Sequence, residues 1–167
     1  MNKLGKIRQI KERETANDVF DTPISLAKLL IEMSDIKESD RVLDPCRGTG
    51  IFFDNLPPCR KDYCEITEGK DFFDYHESAD VIIGNPPFSQ LKQWLEHSAI
   101  LCPRKICYVL GCLNLTPQRV SFLKKHGYKL TKMHLTTVVG WFGNILCVVF
   151  DKEGDDCLTY DIIRHKS

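Results

Sequence analysis

The run of this chain whose residue types and spacing most directly suggest a reaction is Ile82-Ile83-Gly84-Asn85-Pro86-Pro87-Phe88. An amine conjugated to a planar ring is a poor nucleophile, because its lone pair is delocalised. Two acceptors, the Asn85 side-chain oxygen and the Pro86 carbonyl, would favour the pyramidal nitrogen that can attack a methyl group. Pro86 and Pro87 stiffen the backbone that presents those acceptors, and Phe88 offers a face on which a planar base can stack. The plain alternative is a strand-ending turn.

Three further stretches suit a ligand. Val42-Leu43-Asp44-Pro45-Cys46-Arg47-Gly48-Thr49-Gly50 runs from a strand into a glycine turn, where backbone amides can approach an adenosine-bearing ligand closely. It lacks the GxGxxG spacing of a pyrophosphate site, and its acid-proline pair suits a positively charged amino-acid group. Glu65 falls at the end of the next strand, where a carboxylate can accept from both ribose hydroxyls; Glu68 takes that place if the strand ends later. Asp71 can accept from an adenine amino group while Phe72 packs on the ring. Taken singly, these are also a tight turn, a solvent-facing glutamate and a buried aromatic beside a surface acid.

Periodicity shows which elements must position these residues. Asp21-Thr22-Pro23 precedes ISLAKLLIEMSDI, in which Thr22 can cap, Pro23 can take the first helical position, and Leu26, Leu29, Leu30 and Met33 repeat at helical spacing. Residues 41–44 read as a strand, IFFDNL as a brief helix, 61–66 as a second strand and 80–84 as a third that the two prolines stop. Helices are expected over 89–101 and 116–126, with a strand over 105–110 between them. Residues 128–139 and 145–151 then form an antiparallel pair, and a last strand is expected over 158–163. Alternating elements followed by consecutive strands describe an α/β fold, a mostly parallel doubly wound sheet with an antiparallel edge hairpin.

Composition narrows the setting. At 167 residues, with 43% hydrophobic and 28% charged, the chain has the size and core content of one domain, divided here into a basic N-terminal segment 1–16 and a domain 17–167. No apolar run is long enough to span a bilayer and the N-terminus lacks a signal-like stretch, so the expected location is the cytoplasm, with no membrane partner. The eight cysteines form no CxxC, which argues against a metal site and fits a reducing compartment. Formal net charge is zero, but Lys3, Lys6, Arg8, Lys11 and Arg13, and again Arg119, Lys124, Lys125, Lys129 and Lys132, form basic runs that could face phosphates or simply be solvated.

In this order, the four stretches resemble the amino-group methyltransferases, above all the DNA adenine-N6 methyltransferases, with their DPxCGxG-type loop and [DNS]PP[YFW] catalytic loop. The resemblance covers roughly 20–151. It implies a Rossmann-like class I methyltransferase fold, S-adenosyl-L-methionine as cofactor and adenine N6 in DNA as the leading target. Phe20, Thr22 and Pro23 resemble the segment that touches the cofactor's methionine part. Asp44, Cys46, Gly48 and Gly50 resemble the loop that binds its amino-acid moiety, and Glu65 the ribose acid. Asp71 and Phe72 resemble the adenine contacts, and Asn85, Pro86, Pro87 and Phe88 the catalytic loop, with Asn85 also touching the cofactor.

There are two departures. Arg47 follows Cys46 where the family has a small residue and then the cysteine, so it must point away from a sulfonium. Only five residues separate Glu65 from Asp71, too few for the usual helix. Nearly all the chain after Phe88 is needed for the sheet, so target reading is expected to be weak or supplied by a protein partner. The same loop also occurs in RNA adenine and guanine methyltransferases and in protein glutamine methyltransferases. A non-catalytic subunit of the same fold is the alternative of another class.

Overall fold

The computed structural model describes residues 21–101, 103–141 and 143–157. The basic segment 1–16, Phe20 and the strand expected over 158–163 lie outside the described residues. Six strands form one sheet: β1 (Arg41–Asp44), β2 (Arg60–Tyr63), β3 (Val81–Gly84), β4 (Lys105–Gly111), β5 (Lys129–Thr137) and β6 (Asn144–Asp151). Among the described residues three α-helices accompany them: α1 (Ile24–Ser34), α2 (Leu91–Ile100) and α3 (Pro117–Lys125). Strand order is β2-β1-β3-β4-β6-β5, with the first four parallel and β6 antiparallel to both its neighbours.

Successive strand residues face opposite sides, so each strand feeds two cores. Val42, Val81, Ile83, Cys107, Val109, Cys147 and Val149 pack with Leu26, Ala27 and Leu30 of α1. Leu43, Ile82, Ile106, Tyr108, Leu110, Val148 and Phe150 pack with Leu91, Trp94 and Leu95 of α2 and Leu123 of α3. Helices thus cover both faces, as in the expected doubly wound sheet with its antiparallel hairpin at one edge. No helix among the described residues is long and apolar enough to cross a membrane.

Several local expectations need correction. IFFDNL forms only a 3₁₀ turn, Phe53–Asn55, because Leu56 is already extended (ψ 145°) ahead of Pro57. The second strand is Arg60–Tyr63 rather than 61–66: the Cys64 N–H reaches the Asp44 carbonyl at 2.8 Å, and Glu65 then folds back to cap a 3₁₀ turn at Ile66–Glu68. Asp71 caps a second 3₁₀ turn, Phe72–Asp74, so neither a helix nor a further strand separates β2 from β3, as the short connection requires. Thr22 does not cap α1; Pro23 itself stands at the cap position, and the Thr22 hydroxyl accepts from Asn85. α2 starts two residues late, after a 3₁₀ turn at Phe88–Gln90.

Candidate functional site

Each strand at the working edge ends for a reason visible in its residues. β1 runs into Pro45 and β3 into Pro86 and Pro87, neither of which can donate to a ladder, so both chains leave the sheet side by side. Close packing there depends on Gly84: a Cβ would lie 3.2 Å from Pro45 Cδ, 3.3 Å from Asp44 Oδ1 and 3.4 Å from Cys46 Sγ. The Cys46 thiol, which burial holds well above its ordinary pKa, remains S–H and donates to the Asn85 backbone carbonyl at 3.2 Å. The glycine loop and the NPPF loop are therefore one assembly.

The end of β2 closes the loop from the other side. Arg47 N–H donates to the Cys64 carbonyl at 2.9 Å, and Gly48 N–H, at a residue with φ +53°, donates to Glu65 Oε2 at 2.8 Å. Glu65 Oε1 accepts from the Thr67 amide at 3.0 Å and its hydroxyl at 2.7 Å. Burial alone would raise the Glu65 carboxyl, but the hydrogen bonds from Thr67 and Gly48 outweigh it and hold the group below its ordinary value, as a carboxylate. Glu68, the alternative, is committed elsewhere, to Arg47 at 3.3 Å and Tyr63 Oη at 2.9 Å. Arg47 is drawn towards the β2 edge by that pair, its guanidinium 4.7 Å from the Tyr63 ring centroid.

These loops enclose a cavity of about 390 Å³. Of the residues assigned from sequence, Thr22, Cys46, Gly48, Glu65, Asp71, Phe72, Asn85 and Pro87 line it. Pro23, Asp44, Gly50, Pro86 and Phe88 do not. Asp44 is fully buried behind the loop, where its Oδ1 accepts from Cys46 N–H at 3.2 Å, so it shapes the wall instead of forming it. Burial pushes its carboxyl up to about 7. Phe72 is 1% exposed and stacks in the core against Trp94 and His97, while the less buried Phe73 also lines the cavity. Phe88 stands beside Gly111, a Cβ on which would lie 3.5 Å from its ring.

Sequence reasoning missed Ile66, Phe73, Gln90 and Trp94 as wall residues. Trp94 reads as core by its helical spacing, and nothing in the periodicity marks its outer edge. The basic run 119–132 does not form a free patch either. Lys124 pairs with Asp156 at 2.7 Å, Lys129 donates to the Gly154 carbonyl and Lys132 to the Met33 carbonyl, because these residues lie mostly towards the opposite edge of the sheet.

Among the described residues, four buried side-chain polar atoms have no hydrogen-bond partner: Asp44 Oδ2, Arg47 Nε, Asn85 Oδ1 and Trp94 Nε1. Three belong to cavity-lining residues, and the fourth directly precedes Pro45 in the wall. A buried polar atom without a partner costs about 1–3 kcal/mol, so their concentration around one cavity marks a place where a ligand supplies the missing partners. Two of the four are acceptor oxygens and two are N–H donors, and the carboxylates of Asp21, Glu65 and Asp71 share the wall with Arg47 and Lys70, so the cavity suits a ligand that carries both donors and acceptors and charges of both signs.

No protein-family model and no curated protein sequence matches the chain. Solved structures do. A modification subunit of a putative type I restriction enzyme from Vibrio vulnificus superposes with TM-score 0.61 and 15% identity over 92% of this chain and 48% of its own, so this chain spans about half its length. Magnesium protoporphyrin IX methyltransferase from Synechocystis, with bound S-adenosylmethionine, gives TM-score 0.59 and 12% identity over 90% of this chain and 81% of its own. The N-methyltransferase NodS from Bradyrhizobium japonicum gives 0.59 and 13% over 80% and 98%. At such identities the likeness is one of fold, and the fold of this chain is the Rossmann-like class I methyltransferase fold.

Proposed function

We propose that this chain is an S-adenosyl-L-methionine-dependent N-methyltransferase acting on an exocyclic amino nitrogen, with adenine N6 in DNA as the target. The observation that carries the reading is Asn85 Oδ1, buried, without a partner, in a loop joined to the glycine turn through Cys46 and facing the same cavity as Glu65 and Asp71. When bound, the cofactor supplies a methyl group on a positively charged sulfur. Glu65 has lone-pair capacity left for ribose hydroxyls, Asp71 offers an acceptor to the adenine amine, and the Asp44 carboxylate behind the wall favours the ligand's positive charge. Arg47, tied to Glu68, does not oppose it.

Asn85 would accept one N–H of the target amine and the Pro86 carbonyl the other. That concentrates electron density on the nitrogen and orients it, and no side chain is covalently changed. DNA is favoured by the NPPF loop and by the likeness to a restriction-modification subunit. Since the described residues after Phe88 all serve the sheet, its covering helices and their connections, recognition of a target sequence is assigned to a protein partner or to low selectivity. A reducing cytoplasm is part of the same reading.

The test is radiolabelled cofactor offered with DNA, RNA and protein in parallel, for the wild type and Asn85→Ala. Label is expected in DNA as N6-methyladenine. Loss of one acceptor of this kind costs about 2.7–4 kcal/mol, roughly a hundredfold or more in rate, with cofactor binding retained. Label in RNA or protein alone would redirect the substrate, an active Asn85→Ala would sink the catalytic assignment, and a wild type that binds no cofactor would leave a non-catalytic subunit.

A further inference from the structure

Leu113 is 93% exposed, yet the loop that carries it is firmly built. It is the middle residue of a 3₁₀ turn, Cys112–Asn114, closed by Leu115 N–H on the Cys112 carbonyl and by Thr116 N–H on the Asn114 carbonyl. Arg119, in the first turn of α3, grips Asn114 with Nη1 at 2.7 Å from its carbonyl and 3.0 Å from its Oδ1. The loop also abuts the ring of Phe88 across Gly111. These bonds hold an exposed leucine beside the loop that carries Asn85.

Charge adds a second observation. From His97 to Phe150 the chain has no Asp or Glu, although three of its seven Lys and Arg, Arg104, Lys105 and Lys124, pair with Asp40, Asp151 and Asp156 away from these loops. β5 runs in the direction of β4, through their shared neighbour β6, so the chain that follows Thr137, with Val139 fully exposed, leaves the same edge of the sheet as Gly111. The loops 85–90, 111–116 and 138–143 contain no carboxylate, whereas the opposite rim carries Asp54, Glu65, Glu68 and Asp71. Lys92 and Arg119 stand in the first turns of the helices that follow two of these loops. These three loops themselves set no carboxylate against a polyanion.

We propose that Leu113 is a wedge that enters the base stack of double-stranded DNA next to the nucleotide turned out towards Asn85. This rests on the adenine-methyltransferase reading above. A base paired within a duplex cannot bring its amine to an acceptor at the foot of a strand-end turn. It must leave the stack, and an apolar side chain that fills the gap offsets part of the unstacking cost. A single strand or free nucleotide needs no such wedge, and a protein substrate has no stack to fill.

The test uses the full chain, S-adenosyl-L-methionine and one adenine-containing oligonucleotide of mixed sequence, offered as a duplex and as a single strand. Leu113→Ala is expected to lower the ratio of duplex to single-strand methylation by about tenfold, the scale of a partly lost unstacking offset, and Leu113→Met to restore it. 2-Aminopurine at the methylated position should brighten in the duplex with wild type and not with Leu113→Ala. An unchanged ratio, or an equal loss on both forms, overturns the wedge and leaves the enzyme reading intact. A wild type that methylates neither form overturns both.

Discussion

The side-chain nitrogen of Asn85 donates to Thr22 Oγ1 at 3.2 Å, so the loop that ends β3 is oriented by the segment that leads into α1, 63 positions earlier. With that bond made, the carboxamide oxygen is the atom left without a partner. Thr22→Val keeps the shape and removes the acceptor. Methyl-transfer kcat should fall about fivefold while cofactor affinity changes little, in keeping with one neutral hydrogen bond of about 1 kcal/mol acting through position, and Thr22→Ser should restore it. Steady-state kinetics would sink this if kcat were unaltered.

Glu65 ties the glycine loop to the end of β2 through Gly48 and Thr67. Glu65→Gln keeps one acceptor oxygen but loses the charge, and should weaken cofactor binding about tenfold or more, since a hydrogen bond to a charged group is worth about 1.5–3 kcal/mol. Glu65→Ala should weaken it further and also lower the melting temperature. Calorimetric titration distinguishes the two variants, and equal affinity in all three proteins would remove Glu65 from the site.

Burial pushes the Asp44 carboxyl from 3.8 up to about 7, with Cys46 N–H only partly opposing it. Folding thus favours the protonated acid, so this residue's effect on stability worsens as pH rises from 3.8 to about 7 and is level above. A cationic ligand favours the carboxylate, so its binding should release a proton below pH 7, and affinity should rise with pH by up to about tenfold per unit there. Asp44→Asn should flatten both slopes. Titrations in buffers of different ionisation heat, together with melting curves, provide the check.

Gly50 adopts φ +88°, and a Cβ there would stand 2.8 Å from Asp54 Oδ2. Gly50→Ala should therefore destabilise by about 1–3 kcal/mol, combining backbone strain with the displacement of Asp54. Gly69 has φ +78° with nothing within 4 Å of the added atom, so Gly69→Ala should cost only the strain, about 1 kcal/mol. Urea midpoints would contradict this if the order were reversed.

Much of this arrangement could be read from residue order. Strand, glycine turn and proline stop are local events: Pro45 and Pro86 cannot continue a ladder wherever the rest of the chain goes, and the unbroken apolar runs in 81–83 and 106–110 mark two-sided burial. Glu65 was legible because it follows a strand at a sheet edge, although its own capping of Thr67, a side-chain bond to the backbone two residues on, moved the strand end. The helix expected in IFFDNL failed because Pro57 forces Leu56 out of the helical region, a neighbour effect stronger than the apolar pattern.

The sequence by itself determined the order of elements, the two loops at the strand ends and the types of acceptor they carry, since turn chemistry and two- or three-residue periodicity act over short distances. Only the tertiary structure decided which of those acceptors share one cavity. It withdrew Asp44 behind the wall, turned Arg47 to Glu68, brought Trp94 to the rim, set Thr22 on Asn85 and left the Asn85 oxygen free. Those outcomes depend on the packing of β1 against β3 across Gly84 and on contacts dozens of residues apart, and no local pattern encodes which buried polar atom the assembled fold will leave without a partner.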